Sequence, residues 1–435
     1  MVVGNRSALL LGLSALLAAL PAGAQAPKIT LQEAIERANQ VQPSVISAGG
    51  TVRNAQARQR SATGAFLPNL TLSGSRSNNF SEGQQLDPST GQFTTSGTST
   101  GSAGATLSSS VDLFAGFRRT GEKKAASDNR DAADAGLSNA RYQQQLATTN
   151  QFFDVLVAEQ LLRVRDASVR RAEEQLKVSV AKLHAGRGIR PDSLRSVVTL
   201  GNAQLQLVNQ QSALATAEAN LGRQVGADGP VGAVDDSTLF TLLPSLDSAA
   251  LRQEALANAP SVKAAEAAAT ASRAAVQVSR AGYYPTLSLS GSTSLNGSSR
   301  NDYTFLQSRS ISLGLTWPIF NRFQREQGIV NSLTALDNAE AQAADSRRSV
   351  LASLSAAIAA LDAARLTITI TQTSVLAAEE DLRVQQERYR LGAATIVDVL
   401  TSQEALNQAE VDVVIARFDY VRARASISAL IGRTL

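Results

Sequence analysis

Large apolar residues recur every seven positions through the long polar stretches of this chain. A strict heptad repeat keeps one seam of a helix facing a partner and predicts left-handed supercoiling. In the second half, a small residue follows three positions after most of the large ones. The heptad positions are Val155, Leu162, Val169, Leu176, Leu183, Leu200, Leu207, Leu214 and Leu221, then Leu354, Leu361, Ile368, Val375, Leu382, Tyr389, Val399, Leu406, Val413, Tyr420 and Ile427.

These predicted helices are too long for a small globular domain. A helix from about Thr120 to His184 would be about 95 Å long, and one from Arg322 to Arg390 about 100 Å, at about 1.5 Å per residue. Their faces are also too polar to lie in lipid. The pattern therefore predicts helices that cross an aqueous space.

Four shorter segments alternate between apolar and small polar residues: about 68–80, 103–115, 286–296 and 309–320. Alternation of apolar residues with Ser and Thr over about 10 residues is typical of a membrane barrel strand with a wet interior. The edge of a soluble sandwich would show the same alternation. Aromatic residues flank these segments as a membrane-interface girdle would, namely Phe66, Tyr283, Tyr284, Trp317 and Phe320.

The polar links between paired segments predict loops. Ser81–Gly101 and Asn296–Asp302 are rich in Gly, Ser and Asn. Four strands cannot close a membrane barrel, whose smallest size is about 8 strands. Open strand edges in hydrocarbon leave unpaired backbone groups. If these strands enter a membrane, we expect the chain to oligomerise.

The chain consists of one unit present twice. Residues from Pro43 to Gly74 align with the second half at an offset of 217, and residues from Phe114 to Gly226 align at an offset of 206, so the first copy carries 11 extra residues. Each copy is predicted to contain a helix, two strands and a long helical hairpin. The expected organisation is a signal peptide over residues 1–24, a first repeat over 25–226, a linker over 227–245 and a second repeat over 246–435.

The N-terminal residues predict export. Arg6 precedes the apolar stretch Ala8–Leu20, and Ala22-Gly23-Ala24 forms a small-residue cleavage site. The 13 residues of this stretch are fewer than the about 20 that a spanning helix needs. The chain contains no cysteine, so neither disulfides nor a lipid anchor on cysteine is expected.

Composition excludes several function classes. The net charge is +4 and the charges alternate in sign along the predicted helices, unlike the basic stripe of a nucleic-acid surface. His184 is the only histidine, and without cysteines or clustered acids it makes a poor metal site. The sequence contains no nucleophile–base set, phosphate loop or cofactor motif. We expect a non-enzyme with no metal, no cofactor and no nucleic-acid partner.

The stretch Tyr389–Leu400 and the following residues Asn407–Gly432 resemble the TolC-like outer-membrane efflux proteins. The resemblance implies a mostly α fold with a small transmembrane β part, in which an internally duplicated unit forms a trimer. That trimer would join a 12-stranded β-barrel in the bacterial outer membrane to a long α-helical barrel in the periplasm. It implies a passive exit duct of a tripartite efflux pump or type I secretion system. The implied partners are outer-membrane lipid, a periplasmic adaptor and an inner-membrane transporter of the RND, ABC or MFS type.

The resemblance also assigns roles at the two hairpin tips. Adaptor docking falls on Gly186, Arg187, Gly188, Gly392, Ala393 and Ala394. A periplasmic constriction falls on Asp398, Asp192, Tyr389 and Thr401. Thr401 stands where the family has a second acid, and Ala394 where it has a latch arginine, for which Arg187 or Arg190 could substitute. Without the resemblance, Asp192 and Asp398 are simply first-turn acids at helix N-termini.

Two other hypotheses fit parts of the pattern. An exported coiled-coil stalk without a pore would have the heptads, but it needs no strands with a serine face. A periplasmic adaptor also has long helical hairpins, but it needs many short strands around one hairpin. The cargo cannot be predicted from generic tunnel walls.

Overall fold

The structure, a computed structural model, describes residues 26–89, 91–235, 240, 246–433 and 435. The predicted signal peptide over residues 1–24 lies outside the described residues, as do residues 236–239 and 241–245 of the predicted linker. The described part is mostly helical. Its helices are α1 (Leu31–Val41), α2 (Pro43–Gly64), α3 (Arg118–His184), α4 (Arg190–Val225), α5 (Ser248–Asn258), α6 (Pro260–Arg280), α7 (Gln324–Leu391) and α8 (Ile396–Ile431).

Four long strands form one antiparallel sheet, and two short strands form a separate parallel pair. The sheet has the order β2-β3-β5-β6, and the pair is β1 with β4. The strands are β1 (Lys28–Ile29), β2 (Asn69–Leu86), β3 (Phe93–Ala115), β4 (Gly232–Ala233), β5 (Thr286–Ser298) and β6 (Leu306–Thr316).

The helices α3 and α7 have 67 and 68 residues and run the length of the helical part. Toward the sheet, α3 packs on α2 and α6, and α7 packs on α6. Toward the tips, α3 packs on α4 and α8, and α8 packs on α7. Near the tips, the helices therefore lie side by side in the order α4-α3-α8-α7. We call this layer of helices the wall. The half nearer the sheet has the order α2-α3-α6-α7, and each of these helices joins a strand of the sheet.

Heptad positions of the second copy are mostly buried, as the pattern predicts. On α7 they include Leu354, Leu361 and Ile368, and on α8 they include Val399 and Leu406. The small residues three positions later on α8 are also buried, which lets α7 and α8 approach closely: Ser402, Ala409, Ala416 and Ala423. In the first copy Val155 and Val169 are buried, whereas Leu162, Leu176 and Leu183 are only partly buried.

The largest hydrophobic core lies near the middle of α3, in a region that we call the waist. Phe152 and Phe153 of α3 are almost fully buried there, and Phe153 meets Phe418 of α8 at a ring-centroid distance of 6.2 Å. The short elements β1, β4, α1 and α5 pack around this core. The waist thus supplies the aromatic packing that the long helices lack elsewhere.

The strand register separates an apolar face from a serine face. Leu289 pairs with Leu313, and Leu72 pairs with Leu107. On the other face, serine hydroxyls of β5 and β6 contact each other at 2.7–2.9 Å in the pairs Ser290–Ser312, Ser292–Ser310 and Ser294–Ser308. Simple alternation from Leu107 would put Leu113 on the apolar face. A bulge between Asp112 and Phe114 puts Phe114 opposite Leu287 instead.

The loop expected over Ser81–Gly101 is wrong, because most of it is strand. β2 and β3 stay paired as far as Leu86 and Phe93, and only a short turn joins them. Alternation fails as a signal here because both faces of this hairpin are polar. Backbone pairing and hydroxyl contacts such as Ser81–Thr98, at 3.2 Å, hold it instead. β6 ends at Thr316, earlier than expected, and Pro318 beyond it lacks an N–H for the ladder.

The five residues of the predicted aromatic girdle lie at the junction between sheet and helices. Trp317 Nε1 donates to the Tyr283 carbonyl at 3.2 Å, and Phe117 packs edge-on against Tyr284 at 5.7 Å. Phe117 and its repeat equivalent Phe323 both have positive φ, 66° and 61°. Non-glycine residues pay about 1 kcal/mol or more for this conformation. Both copies therefore use the same strained bend to turn a strand into a long helix.

Candidate gate and docking site at the helix tips

The two hairpin tips share one turn geometry. Gly186 has φ 70° and Gly392 has φ 82°, a conformation that favours glycine. In both turns, two backbone N–H groups bond back to the last carbonyls of the preceding helix, which satisfies its end. A Cβ added to Gly186 or Gly392 would meet no atom within 4 Å. The glycines are therefore required by backbone conformation, and the space beside them is open.

Asp398 forms a capping box at the start of α8. Its Oδ2 accepts from the Thr395 N–H at 2.8 Å and from the Thr395 hydroxyl at 2.8 Å, while the Asp398 N–H donates to Thr395 Oγ1 at 3.3 Å. These bonds from Thr395, aided by nearby Arg388, lower the pKa of the Asp398 carboxyl. Asp398 thus stabilises the turn in the way a first-turn acid does.

Tyr389 is a buried residue of α7. It is 5% exposed and packs in a cluster with Leu382, Ile396, Val399 and Leu406. Burial raises the pKa of the Tyr389 phenol, and the nearby Asp192 carboxylate adds to the rise. The nearby Ser179 hydroxyl opposes this rise in pKa. The structure therefore brings Tyr389 and Asp192 near each other without a hydrogen bond between their side chains.

Lys182 on α3 joins the first hairpin to the second. Its Nζ lies 3.7 Å from the centre of the Tyr389 ring and donates to the Tyr389 carbonyl. Burial lowers the pKa of Lys182, and the Asp192 carboxylate opposes that shift. Arg187 and Arg190, the substitutes considered from sequence, are exposed and form no ion pair with the described residues. Sequence reasoning missed Lys182, although a cation in the last helical turn was a signal.

Thr401 lines an open groove of about 700 Å³ between α4 and α8. Arg195 of α4 and Glu404 of α8 line the same groove. Glu404 follows Thr401 by three residues, so both lie on one side of the helix. Neither Arg195 nor Glu404 was singled out from the sequence.

A second joint between α3 and α8 lies farther from the tips. The Arg171 guanidinium donates to Glu410 Oε1 at 3.0 Å, to Glu410 Oε2 at 2.5 Å and to Asn407 Oδ1 at 2.7 Å. The side chains of Arg171 and Glu410 are 22% and 20% exposed. This bidentate pair holds the two hairpins together behind the tips.

Comparison with protein-family models identifies the family of this chain. Residues 34–227 and 251–433 match the model of the outer membrane efflux protein family. The chain belongs to the outer membrane efflux protein family. The two matched stretches correspond to the two copies of the repeat, and the prediction of a TolC-like outer-membrane channel is confirmed.

Characterised relatives of this efflux protein serve different systems. The cobalt-zinc-cadmium resistance protein CzcC of Cupriavidus metallidurans is 26% identical over 76% of this chain and 77% of its own length. The pyoverdine export outer membrane protein OpmQ of Pseudomonas putida is 29% identical over 87% of this chain and 81% of its own. Outer membrane protein TolC of Escherichia coli is 24% identical over 68% of this chain and 64% of its own.

Solved structures support the fold of the efflux protein. The CusC channel superposes with a TM-score of 0.80 at 18% identity, covering 95% of this chain and 96% of that one. VceC of Vibrio cholerae superposes with a TM-score of 0.75 at 18% identity, covering 93% and 96%. At this identity the likeness establishes the fold alone.

Proposed function

We propose that three copies of this efflux protein form a channel-tunnel that serves as the passive exit duct of a tripartite efflux pump or type I secretion system. The observation that carries the trimer is the order of elements at both levels of the chain. The sheet ends at β2 and β6, and the helical wall ends at α2 or α4 on one side and α7 on the other. The sheet and the helical wall thus each have one free edge on either side of the subunit. A single rotation that relates neighbouring copies would therefore pair the free edges of both.

At the sheet level, closure satisfies the free strand edges. β2 and β6 each have one paired neighbour in the chain. In hydrocarbon, an unpaired edge costs several kcal/mol per exposed polar group, so β6 of one copy should pair with β2 of the next. Three such sheets make 12 strands, above the minimum of about 8 for a membrane barrel. The leucine face would then meet lipid and the serine face would line the pore.

At the helix level, both edges expose apolar side chains. On α7, Leu366, Ile370 and Leu376 are 65–67% exposed in the single chain. They belong to α7, a helix that is long and apolar enough to cross a membrane by length and composition. On α4, Leu194, Val197, Val198, Leu205 and Val208 form a matching exposed series. Contact between α4 of one copy and α7 of the next buries both series in a head-to-tail ring.

The gate would act at the tips. The proposed constriction comprises Asp398, Thr401, Asp192 and Tyr389, with Glu404 one turn beyond Thr401. Lys182 would keep the second hairpin close to the first, in place of the arginine replaced by Ala394. Opening then requires release of the contacts between Lys182 and Tyr389.

The partners follow from the position of the tips. We place adaptor docking at Gly186, Arg187, Gly188, Gly392, Ala393 and Ala394, of which Gly188 and Ala394 are half-buried and the rest exposed. An inner-membrane transporter would supply the energy. The girdle of Phe66, Tyr283, Tyr284, Trp317 and Phe320 would mark the inner surface of the outer membrane.

The trimer and the pore are tested together. The mature protein extracted from outer membranes in detergent should run as a heat-modifiable trimer, and it should form channels of uniform conductance in planar bilayers. A monomer that is soluble without detergent, or a trimer without conductance, would contradict the proposal.

A further inference from the structure

Exposed arginines surround the two hairpin tips. We define Arg187, Arg190, Arg388 and Arg390 as the arginine collar; all are exposed. Three carboxylates lie near the tips, those of Asp192, Glu387 and Asp398, and Glu387 pairs with Arg390 at 2.9 Å. The four arginines and Lys182 outnumber these acids, so the tips carry a net positive charge that a trimer would repeat three times.

Small residues stand beside these arginines in the two turns. Gly186, Gly392 and Ala393 are exposed, and the space beside both glycines is open. Two apolar side chains of the same turns are also exposed: Ile189 is 61% exposed and Leu391 is 73% exposed. Open backbone, exposed apolar groups and an arginine rim together match the anatomy of a protein interface.

We propose that the arginine collar selects an adaptor whose hairpin turn carries acidic side chains. This inference rests on the proposed docking of an adaptor at the tips and adds the chemistry of the partner. Guanidinium groups bind carboxylates through two parallel hydrogen bonds, so Asp or Glu beside the turn fits this rim. The open space beside Gly186 and Gly392 leaves room for the turn itself.

The test uses the trimer in nanodiscs and two synthetic helical hairpins. The hairpins have identical helices, and their turns carry either three glutamates or three lysines. The glutamate hairpin should bind about tenfold or more tightly than the lysine hairpin at 50 mM NaCl. Screening should reduce this preference strongly at about 0.5 M NaCl, where the Debye length is only a few ångströms.

Charge reversal provides the specific variant. The double variant Arg187→Glu/Arg190→Glu should lose or reverse the preference. Arg383→Glu, an exposed arginine of α7 outside the collar that pairs with Glu380 on its own helix, should keep it. If the double variant fails to form trimers, Arg187→Gln/Arg190→Gln takes its place.

Three outcomes would overturn the inference: equal binding of both hairpins, preference for the lysine hairpin, or binding only to phosphatidylglycerol vesicles. Bilayer conductance of the wild-type trimer separates this result from the duct itself. A conducting trimer without glutamate preference refutes only the acidic partner, whereas a non-conducting protein refutes the proposed function.

Discussion

Lys182 is the side chain that joins the two hairpins of one subunit at their tips. Its replacement by methionine keeps most of the apolar stem but removes the charge over the Tyr389 ring, a contact worth about 1 kcal/mol. We expect Lys182→Met to raise the single-channel conductance or the open fraction in planar bilayers. The matched control is Lys177→Met, because Lys177 pairs with Glu174 on its own helix. Conductance equal to that of wild type would show that this contact does not hold the gate.

Asp398 makes the start of α8 sensitive to acid. Its folded pKa is lowered by Thr395, so its contribution is complete above the pKa of free aspartate, about 3.9, and is lost as the pH falls through the lowered folded value. A spin label at Ala393 should become more mobile in that acid range. This increase in spin-label mobility should be absent from Asp398→Asn. If it persists in that variant, another group causes it.

Sequence and structure agree on single residues where the information is local. The glycine turns and the first-turn position of Asp398 follow from nearby residues alone. Lys182 could not be assigned, because its contact with Tyr389 spans 207 positions and depends on how closely two hairpins approach. Glu404 was missed for a similar reason, since its groove exists only where α4 and α8 face each other.

Elements were predictable wherever one face is apolar. The heptads located α3, α4, α7 and α8, and alternation located the part of each strand that has an apolar face. Alternation could not reveal residues 81–98 of the β2–β3 hairpin, because both faces there are mostly polar. Nor could it reveal the bulge after Asp112, which shifts the pattern by one residue.

Residues 81–98, the end of the β2–β3 hairpin beyond its pairing with β5, should be dispensable for assembly. β5 pairs with β3 only from Ser102 onward, and the Gly101 N–H donates to the Ser299 hydroxyl at 2.9 Å, so residues 81–98 lie beyond both contacts. Replacing Ser81–Thr98 by Asn-Gly joins the paired residues Phe80 and Ser99 through a tight turn. We expect a normal heat-modifiable trimer with unchanged conductance. Loss of the trimer would mean that the hairpin top contacts a neighbouring subunit.

The exposed edge of α7 should be required for assembly. Ile370 is 65% exposed in the single chain, and Ile370→Glu would bury a charge at the proposed contact with α4 of the next copy. We expect this variant to run as a monomer in detergent. Thr367→Glu, at an exposed position about 100° around the helix from Leu366, should leave the trimer intact. A stable Ile370→Glu trimer would place the contact elsewhere.

In the proposed trimer, each charge near the proposed constriction would occur three times. Glu404 and Arg195 line the same groove with opposite charge, so together they would keep the mouth nearly balanced. Glu404→Gln should lower the cation-to-anion permeability ratio by about twofold or more, and Arg195→Gln should raise it. Glu36→Gln, an exposed acid on α1, serves as the control. Reversal potentials in a salt gradient measure this ratio, and unchanged values would remove both residues from the pore.

The corresponding free edges of sheet and wall have a genetic consequence. In a head-to-tail ring, a copy with a faulty α7 edge still offers sound β2 and α4 edges to a neighbour. It can therefore join a growing ring and prevent its closure. In a cell that makes equal amounts of wild-type and Ile370→Glu chains, random mixing leaves about one ring in eight with only wild-type copies. Edge mutations in this protein should thus be dominant, whereas mutations that unfold the chain before it meets a partner should be recessive.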